Sequence, residues 1–208
     1  ILFLSSVEIY GAPKSNIPIN EDYIGSTDHL NKRAPYVEGK RAGETIALSY
    51  FLERKFPIKI ARVSHSFGPG LNLNDGRVFS DFIKAGLAGE DIQIKGNKDV
   101  ERPLLYIKDA TIMFLKILIK GPGGQIYNVS NDNNVTSVFN MAKVVCEIFN
   151  NDYKLNLKVK IKKQNQLYYK NVVKRVVLDI SKLKKSFKYA PKTDIYDSFK
   201  RTIRFYKN

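Results

Sequence analysis

The chain has 208 residues, enough for one large domain, and its 43% hydrophobic content supports a packed core. Its one cysteine, Cys146, excludes an internal disulfide, and no apolar run approaches the ~20 residues that span a membrane. No basic segment precedes the opening "ILFLSS" as it would in a secretory signal peptide. We therefore expect a cytoplasmic location and no membrane partner.

The net charge of +15 is compatible with a polyanionic partner. The lysines are spread along the chain, however, and no zinc-ligand spacing, helix-turn-helix pattern or aromatic RNA-binding signature accompanies them. The sequence therefore argues against a nucleic-acid partner and against a metal site. It favours a small polyanion as the ligand.

The first half of the chain alternates between predicted strands and helices. The apolar run "ILFLS" predicts a buried parallel strand, and a loop follows over residues 11–32. A helix is predicted over 36–54, before Pro57, and "IKIARV" is the next strand. After the loop "SFGPGLNLNDG", the pattern "VFSDFIKAGLAG" predicts an amphipathic helix that ends at Gly89, and "IQIKG" predicts a strand.

The second half continues the alternation. The segment "YIKDATIMFLKILIKG" begins extended and becomes helical near Asp109. "QIYNV" and "LKVKIK" are predicted strands on either side of the helix "SVFNMAKVVCEIF", with Thr136 as its N-cap. The helices "DISKLKKSF" and "IYDSFKRTIRFYKN" close the chain. This order predicts an α/β fold with a largely parallel sheet.

The pentapeptide "YVEGK" places Tyr36 and Lys40 four residues apart, on one face of the predicted helix. A tyrosine that acts as a base must lose its proton near pH 7, about three units below the reference pKa of ~10. A lysine ammonium one turn away supports the ionised form. Ser5 and Ser6 end the first strand, at the sheet edge where ligands usually bind. By itself the spacing also fits an ordinary exposed helix face, so other segments must decide.

Two segments of the chain, the end of the first strand and the Tyr36–Lys40 pair, resemble the extended short-chain dehydrogenase/reductases that act on nucleotide sugars. "SSVEIYG" is similar to their strand-end motif, in which a Ser or Thr lies four residues before a Tyr-Gly pair, and Ser6 holds that position. Tyr36 and Lys40 match the Tyr-x-x-x-Lys pair of the same family. The resemblance implies that Tyr36 is the catalytic base, that Ser6 holds the substrate hydroxyl and that Lys40 binds the ribose of NAD.

Two further segments extend the resemblance over nearly the whole chain. "ARVSHSFGPG" resembles the strand and loop beside the nicotinamide, with His65 where the family usually has Asn. "ERPLLYIKD" resembles the segment that contributes an arginine, here Arg102, and Asp109 holds the family's aspartate position. The resemblance also implies a homodimer through the helix with the apolar stretch "TIALSYFL".

The motifs give a set of candidate site residues. The candidate catalytic residues are Ser6, Glu8, Tyr36, Lys40 and Arg102. The candidate NAD-binding residues are Ser5, Tyr36, Lys40, Val63 and His65. The candidate substrate-binding residues are His65, Arg77, Val78, Arg102 and Arg175. Arginine forks at these positions suit the phosphates of a nucleotide sugar, which we expect to be UDP-linked.

The substrate subgroup is indicated by fewer residues. "EGKR", "NDGRV" and Glu8 resemble the UDP-glucuronate decarboxylases, whose catalytic arginine corresponds to Arg102. The 4,6-dehydratases use an Asp-Glu pair after the Ser or Thr, and Val7 cannot supply that acid. Gly70 and Lys95 depart from the family pattern and leave the exact sugar open. A 4-epimerase and a 4,6-dehydratase remain as alternatives.

The family's Gly-rich dinucleotide loop is not found in these 208 residues. Because the chain opens at Ile1 inside an apolar run, we expect that an N-terminal portion is missing and that the fragment alone binds NAD poorly. The resemblance implies a Rossmann-like α/β domain without its N-terminal half and a smaller α/β substrate-binding lobe. Residues 1–65 would belong to the NAD-binding domain and 66–208 mainly to the lobe, with 106–128 returning to the domain. The rival interpretation is a degenerate, non-catalytic fragment that acts in binding or assembly.

Overall fold

The computed structural model describes residues 1–13, 17–162 and 174–207. The described strands are β1 (Leu2–Ser6), β2 (Lys59–Val63), β3 (His65–Phe67), β4 (Ile92–Ile94), β5 (Glu101–Tyr106), β6 (Ile126–Val129), β7 (Val135–Ser137) and β8 (Val159–Ile161). The described helices are α1 (Ala34–Arg54), α2 (Val78–Leu87), α3 (Ile107–Lys120), α4 (Val138–Tyr153), α5 (Ser181–Phe187) and α6 (Ile195–Lys207). A 3-10 turn, Val7–Tyr10, follows β1 directly.

The main sheet has the order β1-β2-β6, and both of its pairings are parallel. Ser6 is therefore level with Val63, and Val63 with Val129, so that the carboxyl ends of all three strands meet at one edge. The predicted α/β fold with parallel pairing is confirmed. The burial predicted for β1 holds for Ser5 and Ser6 but not for Leu4, which is exposed on a strand that pairs only with β2 among the described residues.

A second group of elements forms the larger apolar core. The order β3-β5-β7 joins a parallel and an antiparallel pairing, and β4 pairs with β8 in parallel. Helices α2, α4 and α6 pack around this core, with Ile83, Phe149 and Phe199 fully buried between them. Among the residues that the structure describes, no helix combines the length and apolar character needed to cross a bilayer.

Helix boundaries differ from the predictions by a few residues. Helix α1 begins two residues early, at Ala34, and ends where Lys55 turns left-handed before Pro57. Helix α3 begins at Ile107 rather than near Asp109. Thr136 is not the N-cap of α4, because it pairs with Arg102 inside β7, and Ser137 accepts the capping hydrogen bond instead.

The two lobes of the proposed division interleave at the end of the chain. Helix α5 packs with β2, β6 and α3 through Leu183 and Phe187, although the predicted boundaries assign it to the substrate lobe. Helix α6 packs into the other core through Phe199 and Ile203. The division stays a proposal, and this packing moves α5 to its NAD-binding side.

A buried ion pair attaches helix α1 to the middle of the main sheet. Arg62 on β2 donates two hydrogen bonds to Glu44 of α1, at 2.8 and 3.0 Å, and both side chains are almost fully buried. The same guanidinium donates to the hydroxyl of Tyr10 at 2.9 Å and to the carbonyl of Glu21 at 2.7 Å. Although burial would lower it, Glu44 and Tyr10 hold the pKa of Arg62 above its ordinary value.

We expect Arg62→Met to lower the free energy of unfolding by about 3–5 kcal/mol, because it leaves the carboxylate of Glu44 buried without a partner. The double variant Arg62→Met/Glu44→Leu should recover most of that loss, since both charges are then removed. Urea denaturation measures both values. Equal losses in the single and double variants would contradict the role of the pair.

Candidate functional site

A cavity of about 880 Å³ opens beyond the carboxyl ends of β1 and β2. The turn after β1, the loop before α1, and parts of β3, β5 and α2 contribute to its wall. Five of the predicted site residues line it: Glu8, His65, Arg77, Val78 and Arg102. The tertiary structure thus brings together residues that are up to 94 positions apart in the chain, between Glu8 and Arg102.

Arg102 is a half-buried cation in the cavity wall. One of its amino groups donates to the carbonyl of Glu101 at 2.7 Å, and within the described parts of the chain it forms no ion pair. Burial lowers the pKa of Arg102 below its ordinary value, while the more distant charge of Glu8 opposes the shift. A partly desolvated cation without a carboxylate partner is a position where an anion binds.

Glu8 is held by an arginine that the sequence motifs did not identify. The guanidinium of Arg33 donates to both carboxylate oxygens of Glu8, with distances of 2.5, 2.8 and 3.1 Å. The same guanidinium lies 5.0 Å from the ring centroid of Tyr36. Arg33 also lines the cavity. The sequence could have indicated Arg33 by its position three residues before Tyr36, because side chains at i and i+3 meet at the start of a helix.

Tyr36, Lys40 and Ser6 lie beside the cavity rather than in its wall. Lys40 Nζ donates to the carbonyl of Leu4 at 2.9 Å and lies 5.7 Å from the ring centroid of Tyr36. Ser6 Oγ accepts from the backbone N–H of Glu8 at 3.2 Å and so caps the turn after β1. No hydrogen bond joins Tyr36 to Ser6 in the described structure, and the roles of all three stay predictions.

The residues predicted to hold NAD fit a polar ligand at this sheet edge. Ser5 Oγ is buried and has no hydrogen-bond partner among the described residues. Lys40 Nζ has one protein acceptor, so two of its three donors remain for the hydroxyls of a ribose. Val63 ends β2 next to Ser6 and gives the site an apolar side. These residues suit the ribose and nicotinamide end of a dinucleotide, and the Gly-rich segment that would hold the pyrophosphate is not in this sequence.

Arg77 and Arg175 both have protein partners. Arg77 precedes α2, pairs with Asp75 and donates to the carbonyl of Ser66 at 3.1 Å, so its guanidinium is fixed at the cavity wall. Arg175 does not line the cavity and instead pairs with Glu101 at 3.1 Å. Its contact with substrate stays a prediction, and in this structure it supports the strand that carries Arg102.

His65 is a titratable residue of the cavity wall. Its Nδ1 is buried and has no hydrogen-bond partner among the described residues. Burial, with a smaller contribution from the charge of Arg102, lowers the pKa of His65 to about 4. His65 is therefore neutral near pH 7.

We expect the protein to lose stability below pH 6.5 through His65. Between pH 6.5 and about 4, the unfolded chain binds a proton on this histidine that the folded protein does not, so its contribution is complete above pH 6.5 and is lost as the pH falls. Relative to His65→Asn, the wild type should lose up to about 3 kcal/mol more unfolding free energy between pH 7 and pH 4. Urea titrations at the two pH values measure the difference, and equal losses in the two proteins would contradict it.

Comparison with known proteins agrees with the motifs. The model of the NAD dependent epimerase/dehydratase family matches residues 1–130. UDP-glucuronic acid decarboxylase 6 of Arabidopsis thaliana is 32% identical over 157 residues, which are 76% of this chain and 45% of that protein. UDP-glucuronic acid decarboxylase 1 of the same plant is 27% identical over 207 residues, 100% of this chain and 45% of that protein. The chain spans less than half the length of these relatives.

A solved structure shares the fold over nearly the whole chain. The UDP-glucuronic acid 4-epimerase of Bacillus cereus, in complex with UDP-glucuronic acid and NAD, superposes with a TM-score of 0.79 at 21% identity. The alignment covers 99% of this chain and 60% of the epimerase. The Rossmann-like fold and the family expected from the four motifs are confirmed. This chain belongs to the NAD dependent epimerase/dehydratase family.

Proposed function

We propose that the complete protein modifies a nucleotide sugar through a 4-keto intermediate, as an NAD-dependent decarboxylase of UDP-glucuronate. The observation that carries this proposal is Arg102, a half-buried guanidinium in the cavity wall with no ion-pair partner among the described residues. A uronic acid is a sugar that brings the missing carboxylate. The decarboxylase names of the relatives support the same substrate class.

The charge of the cavity favours an anionic sugar nucleotide. Arg33, Arg77 and Arg102 line it, and Glu8 is already paired with Arg33. An arginine fork can hold a carboxylate or a phosphate through two parallel hydrogen bonds. In this proposal Arg102 receives the carboxylate, and Arg77 suits the diphosphate.

The reaction requires a base, a hydroxyl that orients the sugar and a place for the carboxylate. We assign the base to Tyr36, which takes the proton of the sugar 4-hydroxyl, and the orienting hydroxyl to Ser6. Lys40 holds the cofactor ribose and supports the ionised form of the base. Ser5, Lys40 and Val63 would hold NAD, and the chemistry that the cofactor would supply there is reversible hydride acceptance from C4.

When the bond from C5 to the carboxyl carbon breaks, the electrons left by departing carbon dioxide spread into the 4-keto group. The resulting enolate then takes up a proton at C5, for which Glu8 is our candidate relay, and the 4-ketone is restored.

Two other enzyme activities and a non-enzymatic role remain as alternatives. A 4-epimerase would use the same groups. The solved structure that shares this fold is a 4-epimerase with UDP-glucuronic acid bound, so a uronic acid substrate also fits an epimerase. A 4,6-dehydratase needs an acid beside Glu8, where this chain has Val7. A degenerate binding protein would keep the cavity but lose turnover. Val7 and Gly70, which depart from the family pattern, support that last alternative.

We expect the complete protein, with NAD⁺ and UDP-glucuronate, to release carbon dioxide and give a product lighter by one carbon dioxide in mass spectrometry. A product of unchanged mass and new stereochemistry would support the epimerase instead. Turnover of a neutral nucleotide sugar with no reaction of any uronic acid would contradict the proposal. In the same assay, Tyr36→Phe should reduce turnover at least ~10²-fold, the low end for a general base.

The matched control for that variant is Tyr196→Phe, a half-buried tyrosine on α6 that lies outside both the cavity and α1. It should keep wild-type turnover. A loss under about threefold in Tyr36→Phe would remove the base role from this tyrosine.

We infer that α1 also forms a homodimer interface. The outward face of the helix carries Ile46, 59% exposed, and Tyr50, 57% exposed. Gly39 on the same helix has open space above it, which permits a close approach of a second helix. A second copy of α1 would bury this apolar face.

We expect the complete protein to sediment as a dimer at micromolar concentration and Ile46→Lys to shift it toward monomer, since a buried lysine lacks a partner across the interface. Ile119→Lys, on the exposed side of α3, serves as the control and should leave the dimer unchanged. A monomeric wild type at that concentration would overturn the interface.

A further inference from the structure

Resting on the proposed function, we propose that Arg33 is a positioning residue that holds the carboxylate of Glu8 against α1 and so keeps Arg102 free for the carboxylate of the substrate. Glu8 lines the same cavity as Arg33 and Arg102, and it is the carboxylate whose charge acts on Arg102. Its charge acts on both His65 and Arg102. Arg33 nevertheless holds both of its oxygens.

The position of Arg33 is fixed from three sides. Its backbone N–H donates to Asn31 Oδ1 at 2.9 Å, and its carbonyl accepts from the N–H groups of Tyr36 and Val37 at the start of α1. Its guanidinium lies over the ring of Tyr36. The fork of the guanidinium then meets the carboxylate of Glu8 through three N–H to oxygen contacts. A lysine could not reproduce this geometry, because an ammonium offers no planar fork.

The exposure of the pair indicates that it serves the site rather than the fold. The side chain of Arg33 is 63% exposed and that of Glu8 is 32% exposed. Ion pairs with this much solvent contribute little to stability. A variant without Arg33 should therefore fold, while Glu8 loses its partner and turns to the nearest unpaired cation of the cavity, Arg102. There it would compete with a substrate carboxylate for the same guanidinium.

The effect on ligands follows from this competition. A uronic acid nucleotide should bind more weakly when Glu8 is released, whereas a neutral sugar nucleotide of the same size has no carboxylate to lose. Removing the charge of Glu8 as well should restore uronate binding. An arginine that only held the helix in place would weaken both ligands alike, and removal of the glutamate charge would not help.

The test uses the complete protein with NAD⁺, carrying Tyr36→Phe so that ligands are bound but not consumed; the phenylalanine keeps a ring under Arg33. Calorimetry with UDP-glucuronate and UDP-glucose gives the two dissociation constants. We expect Arg33→Gln to weaken UDP-glucuronate about 10-fold or more and UDP-glucose by less than about threefold. The added change Glu8→Gln should bring UDP-glucuronate back to within about threefold of the parent.

The control is Arg204→Gln, an exposed arginine on α6 that does not line the cavity, and it should change neither constant. Unchanged uronate binding in Arg33→Gln, equal weakening of both ligands, or no recovery with Glu8→Gln would overturn the inference alone. A parent protein that binds UDP-glucuronate no more tightly than UDP-glucose would instead show that Arg102 is not a carboxylate site, and the proposed function would fail together with the inference.

Discussion

The ion pair between Arg62 and Glu44 is the constraint on which the site depends. It joins the central strand β2 to helix α1, and through Tyr10 it reaches the turn that carries Glu8. Tyr10 in turn donates to Asn128 on β6 at 2.7 Å. Hydrogen bonds thus link the guanidinium on β2 to the turn after β1 and, through Tyr10, to β6. Because two charges are removed from water, the pair tolerates little change in distance. The rotation of α1 about its axis, and with it the direction of Tyr36 and Lys40, is therefore fixed by residues that do no chemistry.

The second determinant is the balance of charge at the cavity. Most of the basic residues that the structure describes lie on the surface of the protein. In the cavity the cations are few and fixed: Arg77 is held by Asp75, Arg33 by Glu8, and only Arg102 lacks a carboxylate among the described residues. His65 stays neutral beside them because burial and the charge of Arg102 lower its pKa to about 4. The acidic partners of Arg33 and Arg77 reduce the repulsion among the three arginines. Arg102 remains available for a ligand.

Two departures from the family pattern, Val7 and His65, line the cavity. Val7 replaces an acid or a hydroxyl at the position before Glu8, and it lines the cavity as an apolar side chain. His65 replaces an amide with a ring whose Nδ1 has no described partner. Both changes leave Arg102 and the Glu8–Arg33 pair intact.

The sequence by itself determined the family, the α/β class and the order of most strands and helices, because apolar periodicity and the Tyr36–Lys40 spacing depend only on neighbours in the chain. It also identified Glu8, His65, Arg77, Val78 and Arg102, which share one cavity wall. It could not give the Thr136–Ser137 cap correctly, since pairing with β5 extends Thr136, nor the exposure of Leu4, whose strand pairs only with β2 among the described residues. Only the tertiary structure decided that Arg33, and not Arg102, holds Glu8. Local spacing shows which side chains share a helix face, but the partner of a charge depends on distances between segments far apart in the chain.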